Sequence, residues 1–142
     1  MRFMMLMIPK GYENAAPGTT PDPKAMAAMM KYNESLQKAG VLLALDGLHP
    51  PSMGARVSFS GGKPTVTDGP FAETKEVLGG YWMIQVKSKE EAVEWASRCP
   101  ALDNEVIEVR QVQEFSDFPA DVREAAAGFP EMQAQSQQRA GA

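Results

Sequence analysis

Residues 66–82 read VTDGPFAETKEVLGGYW, and this stretch indicates how the chain is built. A β-branched segment ends at Asp68-Gly69-Pro70, a charged segment follows, and two glycines precede an aromatic segment. Glycine accepts a positive φ, while proline fixes φ at about −65° and lacks an N–H donor, so this tripeptide predicts a turn. Asp68 is therefore expected at the end of a strand, where its carboxylate either caps the turn or takes part in chemistry.

Apolar and alternating segments on both sides of this stretch predict the other elements. Asp22-Pro23 and Ser88 are typical helix starts, with Glu91 expected to reach back in a capping box, and Gly40 is a typical helix end. The predicted strands are 2–8, 41–45, 55–60, 63–67, 81–87 and 106–115, and the predicted helices are 23–39, 89–98 and 119–127. The side chains expected to face the core from the first two helices are Met26, Met29, Met30, Leu36, Ala92, Val93 and Ala96.

This element order predicts an α+β protein with a ferredoxin-like split βαβ fold. Both main helices would cover one face of an antiparallel sheet, and a β-hairpin around Gly61-Gly62 would be inserted between the two halves. We expect the ferredoxin-like domain to span 1–115 and a C-terminal helical tail to span 116–142.

The first strand, 2–8, is apolar on both faces, with Phe3 on one face and Met4 on the other. A strand that is apolar on both faces needs cover on both sides, and the two helices cover one side only. A second copy of the sheet would cover the other side. We therefore expect a homodimer whose sheets pack face to face or close into a dimeric α/β barrel.

Composition excludes several classes of function. The 142 residues carry a net charge of −4, which argues against direct nucleic-acid binding. The single cysteine, Cys99, forms no intrachain disulfide, and the apolar run 3–8 is too short for a signal peptide or a membrane span, so we expect a cytoplasmic protein. One His and one Cys predict no metal site, and the glycine pairs lack the spacing of a dinucleotide or phosphate loop, so no cofactor is expected.

His49 and Asp68 are the candidate catalytic residues. His49 is the only histidine, it lies just past the end of a predicted strand beside Pro50-Pro51, and imidazole suits general acid–base work. A nearby Asp68 would orient the ring and raise its pKa. The alternatives are a surface turn residue for His49 and a plain turn former for Asp68.

Glu108 and Arg110 are the candidate substrate-binding residues, because they lie on the same face of the last predicted strand. They form either the lining of a pocket or a structural ion pair. Lys75 is expected to be solvated or paired with a neighbouring glutamate. Cys99 at a helix C-terminus should have a raised pKa and is a poor candidate nucleophile.

The block Thr67-Asp68-Gly69-Pro70-Phe71-Ala72-Glu73-Thr74-Lys75-Glu76, followed by Gly79-Gly80-Tyr81, resembles the DGPF signature of the YCII-related family. Further similar segments are Arg2-Phe3-Met4-Met5-Leu6, Ala92-Val93-Glu94-Trp95-Ala96, Cys99-Pro100 and Ile107-Glu108-Val109-Arg110. The resemblance covers 1–115 and implies a ferredoxin-like fold in a dimeric α/β barrel. The family has no settled activity, but a recurring histidine and aspartate imply an enzyme, with Asp68 matching inside the signature and His49 in a weaker motif.

Two functions remain open at this point. The first is a small enzyme without a cofactor that transfers a proton on a small metabolite, bound between the sheet and the loop 10–21. The second is a non-catalytic dimeric module that binds a ligand or a protein. Related domains fused to sigma-factor-like regions imply a sigma-factor contact for such a module.

Overall fold

A computed structural model describes residues 1–72, 74–132 and 134–135 of the chain. Its strands are β1 (Arg2–Ile8), β2 (Leu42–Gly47), β3 (Ala55–Ser60), β4 (Lys63–Asp68), β5 (Gly80–Gln85) and β6 (Val106–Gln111). Its helices are α1 (Pro23–Lys38), α2 (Lys89–Ser97) and α3 (Ala120–Ala125). None of the helices in the described ranges is long and apolar enough to cross a membrane.

The main sheet has four strands in the order β2-β5-β1-β6, and every neighbouring pair is antiparallel. This order places the first and third strands of the split βαβ pattern side by side in the centre, so the architecture is α+β and consistent with a ferredoxin-like fold. β3 and β4 form a separate antiparallel pair, and all of their residues are exposed. The remaining helix, α3, lies within the predicted C-terminal tail, and residues 133 and 136–142 of that tail lie outside the described residues.

The core lies between one face of the main sheet and the helices α1 and α2. Alternation along β1 and β5 puts every second side chain on this face, as predicted from the sequence. The buried side chains of the cluster are Phe3, Met5, Met7, Tyr32, Leu36, Trp82, Ile84, Val86 and Ala92. Trp82 also donates its indole N–H to the side-chain oxygen of buried Asn33 at 2.7 Å, which ties α1 to the centre of the sheet.

Helix α1 begins and ends as predicted, but its apolar face is narrower. The Asp22 carboxylate accepts hydrogen bonds from the backbone N–H groups of Lys24 and Ala25, and Gly40 has a positive φ of 74°. Met26 and Met30 are exposed, which corrects the prediction that they face the core. Met30 borders the groove between α1 and edge strand β2, where its side chain remains open to solvent.

Helix α2 also begins as predicted, because the Ser88 hydroxyl accepts a hydrogen bond from the backbone N–H of Glu91. The Glu91 carboxylate reaches back one residue further than expected and accepts from the N–H of Lys87 at 2.9 Å. Val93 is 45% exposed, so its predicted core position is wrong. The predicted core position of Ala92 is confirmed, and Ala96 is partly buried against the same cluster.

Strand β6 ends at Gln111, four residues earlier than the sequence predicts. The N–H of Val112 still donates to the carbonyl of Arg2, but the chain then turns so that Glu114 reaches the Arg2 guanidinium. Two hydrogen bonds of 2.7 and 2.9 Å join these side chains in a largely buried bidentate ion pair. This ion pair, rather than further strand pairing, holds the chain after β6 against the start of β1.

The second face of the main sheet, here called the open face, is turned away from the core that α1 and α2 cover. Met4, Leu6 and Ile8 lie on this open face and are only half-buried, in contrast to the buried residues that alternate with them. The register places Met83 opposite Met4, and Tyr81 opposite Leu6. Arg110 and Glu108 pair with the same two β1 residues from the other side. The open face thus has an apolar centre with polar side chains toward its two edges.

Candidate functional site

His49 lies two residues beyond the end of β2, where contacts hold the backbone on both sides of it. The N–H of Leu48 donates to the carbonyl of Gly79 at 2.9 Å, and the Tyr12 hydroxyl donates to the Leu48 carbonyl at 2.5 Å. Pro50, which follows His49, is fully buried. The imidazole is exposed and has no hydrogen bond or ion pair with the described residues. The structure therefore fixes the backbone of His49 and leaves the ring open to a ligand.

Asp68 is the last residue of β4, opposite Ala55. The following residue, Gly69, donates its N–H to the carbonyl of Gly54 at 2.8 Å. A Cβ on Gly69 would lie only 1.6 Å from the carbonyl oxygen of Pro51. The end of β4 is thus packed directly on the turn that follows His49, so the two candidate catalytic residues lie on contacting segments.

The side chains of His49 and Asp68 are not joined in this structure. Both are exposed, and neither a hydrogen bond nor an ion pair connects them within the described ranges. Both side chains are exposed at the ends of fixed segments, so each is free to change rotamer.

Glu108 and Arg110 form an exposed ion pair on β6. The guanidinium nitrogen lies 3.3 Å from the carboxylate oxygen, and the side chains are 71% and 47% exposed for Arg110 and Glu108. β6 and β2 are the two edge strands of the sheet, so three strand spacings, about 14 Å, separate their axes. Within one protomer the pair is therefore remote from His49.

A second polar pair on the open face was not anticipated from the sequence. The Tyr81 hydroxyl donates to the Asp46 carboxylate at 2.8 Å across the β2–β5 pairing, and this hydrogen bond raises the pKa of Tyr81. Alternation in β5 indicates that Tyr81 lies on the face opposite Trp82, but only the register of β2 brings Asp46 beside it. This pair lies at the same end of the sheet as His49.

Several residues of the segment that carries Asp68 have structural roles. The Arg56 guanidinium lies over the Phe71 ring at 4.2 Å from its centre, and also donates to the Thr74 hydroxyl at 3.2 Å. Lys75 is exposed, as expected of a solvated lysine, and Glu73 lies outside the described residues.

The two glycines before β5 allow close packing at the start of that strand. A Cβ on Gly79 would lie 2.7 Å from a ring carbon of Pro9, and one on Gly80 would lie 2.8 Å from the Asp46 carbonyl oxygen. These two glycines therefore let the start of β5 pack closely against Pro9 and against β2.

A comparison with known protein families finds a match over most of the chain. The YCII-related domain matches the chain over residues 1–116. The chain belongs to the YCII-related family. It is also 36% identical over 75 residues to an uncharacterized protein of Rhizobium meliloti (strain 1021), a match that covers 53% of this chain and 60% of that protein.

Two surface grooves of this YCII-related protein have linings that include neither His49 nor Asp68. One, of about 560 Å³, runs between α2 and β6 and includes Cys99, and the other, of about 550 Å³, runs between α1 and β2. Burial and the nearby Glu105 raise the pKa of Cys99 to about 11. The raised pKa agrees with the expectation that this thiol is a poor nucleophile, although burial is the main cause rather than the helix dipole.

Proposed function

We propose that this YCII-related protein is a small enzyme that transfers a proton on a small metabolite, with His49 as general acid–base. The observation that carries the proposal is the contrast at His49 between a fixed backbone and an open imidazole. Functional side chains are commonly presented in this way, on short segments that a rigid scaffold holds in place. Imidazole is the side chain whose ordinary pKa best suits proton transfer near neutral pH.

Asp68 is the proposed orienting carboxylate for His49. Its strand end contacts the turn after the histidine through Gly69 and Pro51, which supports a role in the same site. In this proposal rotation of the two exposed side chains brings the carboxylate to the ring. We also propose that the chain belongs to the DGPF-type subgroup, on the block that runs from Asp68 to Phe71.

A homodimer is part of the proposal. The half-buried apolar centre of the open face, Met4, Leu6 and Ile8, is the surface that a second copy would cover. Packing two such faces would also let Glu108 and Arg110 of one protomer approach the partner's catalytic corner, which they do not approach within their own chain. Arg110 would then hold an anionic group of the substrate.

The dimer is tested by the substitution Leu6→Glu, which places a charge in the centre of the open face. We expect sedimentation equilibrium to show a dimer for the wild type and a monomer for this variant. Leu102→Glu, at a position that is 70% exposed, is the matched control and should remain dimeric. A monomeric wild type would remove the dimer from the proposal.

A non-catalytic binding module is the second candidate, because a different observation favours it. The β3–β4 pair exposes an apolar strip in which Val57 lies opposite Val66, with Phe59 76% exposed beside them. An isolated pair of strands is marginally stable on its own, so contact with another protein, such as a sigma factor, would stabilise it.

An NMR pH titration of the His49 ring tests the catalytic proposal. The chain has one histidine, so the signal needs no assignment. We expect the His49 pKa to fall when Asp68→Asn removes the neighbouring charge, and to stay unchanged in Asp103→Asn, an exposed aspartate on another loop. Equal values in the wild type and Asp68→Asn would contradict the pairing and favour the binding module.

A further inference from the structure

The thioether of Met30 is the exposed end of a chain of hydrogen bonds that leads into the core. Met30 is 57% exposed, and Nδ2 of Asn33, one turn later on α1, donates to its sulfur at 3.8 Å. Asn33 itself is buried, and its side-chain oxygen accepts the indole N–H of Trp82 at 2.7 Å. The Met30 side chain is therefore open to solvent on one side and joined to the core on the other.

The indole of Trp82 fixes which way the Asn33 amide points. An indole N–H can only donate, so the amide oxygen faces Trp82, and the amide nitrogen then faces Met30. The Tyr32 ring packs edge-on against the indole with ring centres 5.7 Å apart, and its hydroxyl donates to the carbonyl of Trp95 at 2.7 Å. A change in the acceptor that Met30 offers is thus passed to a packed aromatic cluster.

The sulfur of Met30 is both a weak acceptor and an accessible one. A thioether accepts hydrogen bonds weakly, whereas oxidation to the sulfoxide makes the same side chain polar. Met30 lines the groove of about 550 Å³ between α1 and β2, together with Leu42 and Leu45. Because α1 covers the side of the sheet away from the open face, the proposed dimer leaves this groove accessible.

We propose that Met30 is a site of oxidation by hydrogen peroxide and that Asn33 carries the change to Trp82. In this step a lone pair of the Met30 sulfur attacks one oxygen of the peroxide, so the S–O bond forms and the O–O bond breaks. The departing hydroxide takes the proton from the transferred oxygen and leaves as water. The sulfur loses two electrons and the peroxide gains them. The inference is independent of the catalytic role proposed for His49.

The sulfoxide oxygen can replace the sulfur as the acceptor without moving α1. Rotation about the Cγ–Sδ bond of Met30 leaves the sulfur in place and swings the new oxygen toward Asn33. With the sulfur 3.8 Å from Nδ2, an oxygen that lies off the line between these two atoms can accept at about 2.9 Å. This stronger acceptor holds the amide more firmly in its present orientation and so strengthens its contact with the Trp82 N–H.

Exposure alone does not distinguish Met30, because Met26 and Met132 are exposed as well. The distinction is the hydrogen bond from a buried amide to the sulfur, which neither of those two side chains accepts within the described part of the chain. Oxidation of Met26 or Met132 should therefore change the surface only, whereas oxidation of Met30 should also change the core.

The test treats the full-length ¹⁵N-labelled protein with hydrogen peroxide and follows the indole N–H signal of Trp82. We expect peptide mass mapping to find the sulfoxide at Met30 and at Met132, while buried Met5 stays reduced. The Trp82 signal should shift, and its exchange with solvent should slow by about twofold to tenfold, the range that one added neutral hydrogen bond gives. Reduction by both types of methionine sulfoxide reductase should return the signal to its first position.

Met30→Leu and Met26→Leu are the matched variants. Leucine keeps an apolar side chain of similar size but has no sulfur to oxidise. Both replaced side chains are exposed, so both variants should fold. Peroxide should leave the Trp82 signal unchanged in Met30→Leu and should shift it in Met26→Leu as it does in the wild type.

The proposal is overturned if Met30 stays reduced while Met132 is oxidised. It is equally overturned if the oxidised wild type keeps its Trp82 signal, or if the indole N–H exchanges faster rather than more slowly. An equal shift in Met30→Leu and the wild type would assign the effect to another methionine and would overturn it too.

Discussion

Replacing Gly69 by alanine should open the corner that joins Asp68 to the turn after His49. The new Cβ would lie 1.6 Å from the Pro51 carbonyl oxygen and would have to move out to at least 3.0 Å. The obstacle is backbone rather than a flexible side chain, and the adjoining Pro50 is fully buried. The end of β4 must therefore shift away from the turn.

The cost of this shift can be worked from the contacts that it breaks. Forcing an extra carbon into a packed site costs about 1–3 kcal/mol. Loss of the hydrogen bond from the Gly69 N–H to the Gly54 carbonyl costs about 0.5–1.5 kcal/mol more. The sum of about 1.5–4.5 kcal/mol corresponds to a change of roughly ten- to two-thousand-fold in an opening equilibrium.

Amide hydrogen exchange of β3 and β4 is the suitable assay, because these strands are wholly exposed and can open without unfolding the main sheet. Gly54→Ala is the matched control, since a Cβ at Gly54 would lie 3.6 Å from the same Pro51 oxygen, an ordinary contact. We expect exchange to accelerate in Gly69→Ala only. If exchange in this variant matches the wild type and its thermal midpoint is unchanged, the close approach at Gly69 has no structural role.

Three further outcomes are expected. Because burial and Glu105 raise the pKa of Cys99 to about 11 from 9.0, alkylation by iodoacetamide at pH 8 should be at least about tenfold slower than for an unfolded thiol, and Glu105→Gln should accelerate it. The same raised pKa means that the stability contributed by the neutral thiol is complete below pH 9 and is lost as the pH rises through about 11, which urea unfolding at both pH values would reveal. Asn33→Leu should lower the free energy of unfolding by about 1–3 kcal/mol, because the buried indole N–H of Trp82 loses its acceptor. The control Asn14→Leu, at an exposed position, should change the free energy of unfolding little. Equal urea midpoints for Asn33→Leu and the wild type would contradict this prediction.

Features of the fold that depend on a few neighbouring residues could be predicted from the sequence. Asp22 caps α1 and Ser88 caps α2, since a helix start depends on a side chain within three residues of the N–H groups that it accepts from. The burial of Phe3 and Trp82 followed from alternation along single strands. The position of His49 just past the end of β2 followed from the two prolines after it.

The errors concern contacts between distant parts of the chain. Met30 and Val93 are apolar residues in amphipathic helices, but their exposure depends on where the sheet ends beneath each helix. The early end of β6 depends on Glu114 meeting Arg2, a partner 112 residues away in the sequence. Patterns within a few residues carry no information about such partners.

The amino-acid sequence by itself determined the helices and strands of this protein, the composition of its core face and the residues able to take part in chemistry. These features depend on alternation, capping and turn formation, which act over a few residues. The tertiary structure alone decided which of those residues meet. The strand order put Arg110 at the edge of the sheet remote from His49, the β2–β5 register brought Asp46 to Tyr81, and the packing of two loops buried an oxygen of Glu13. These outcomes depend on the assembly of segments far apart in the chain, which only the folded sheet and its loops bring together.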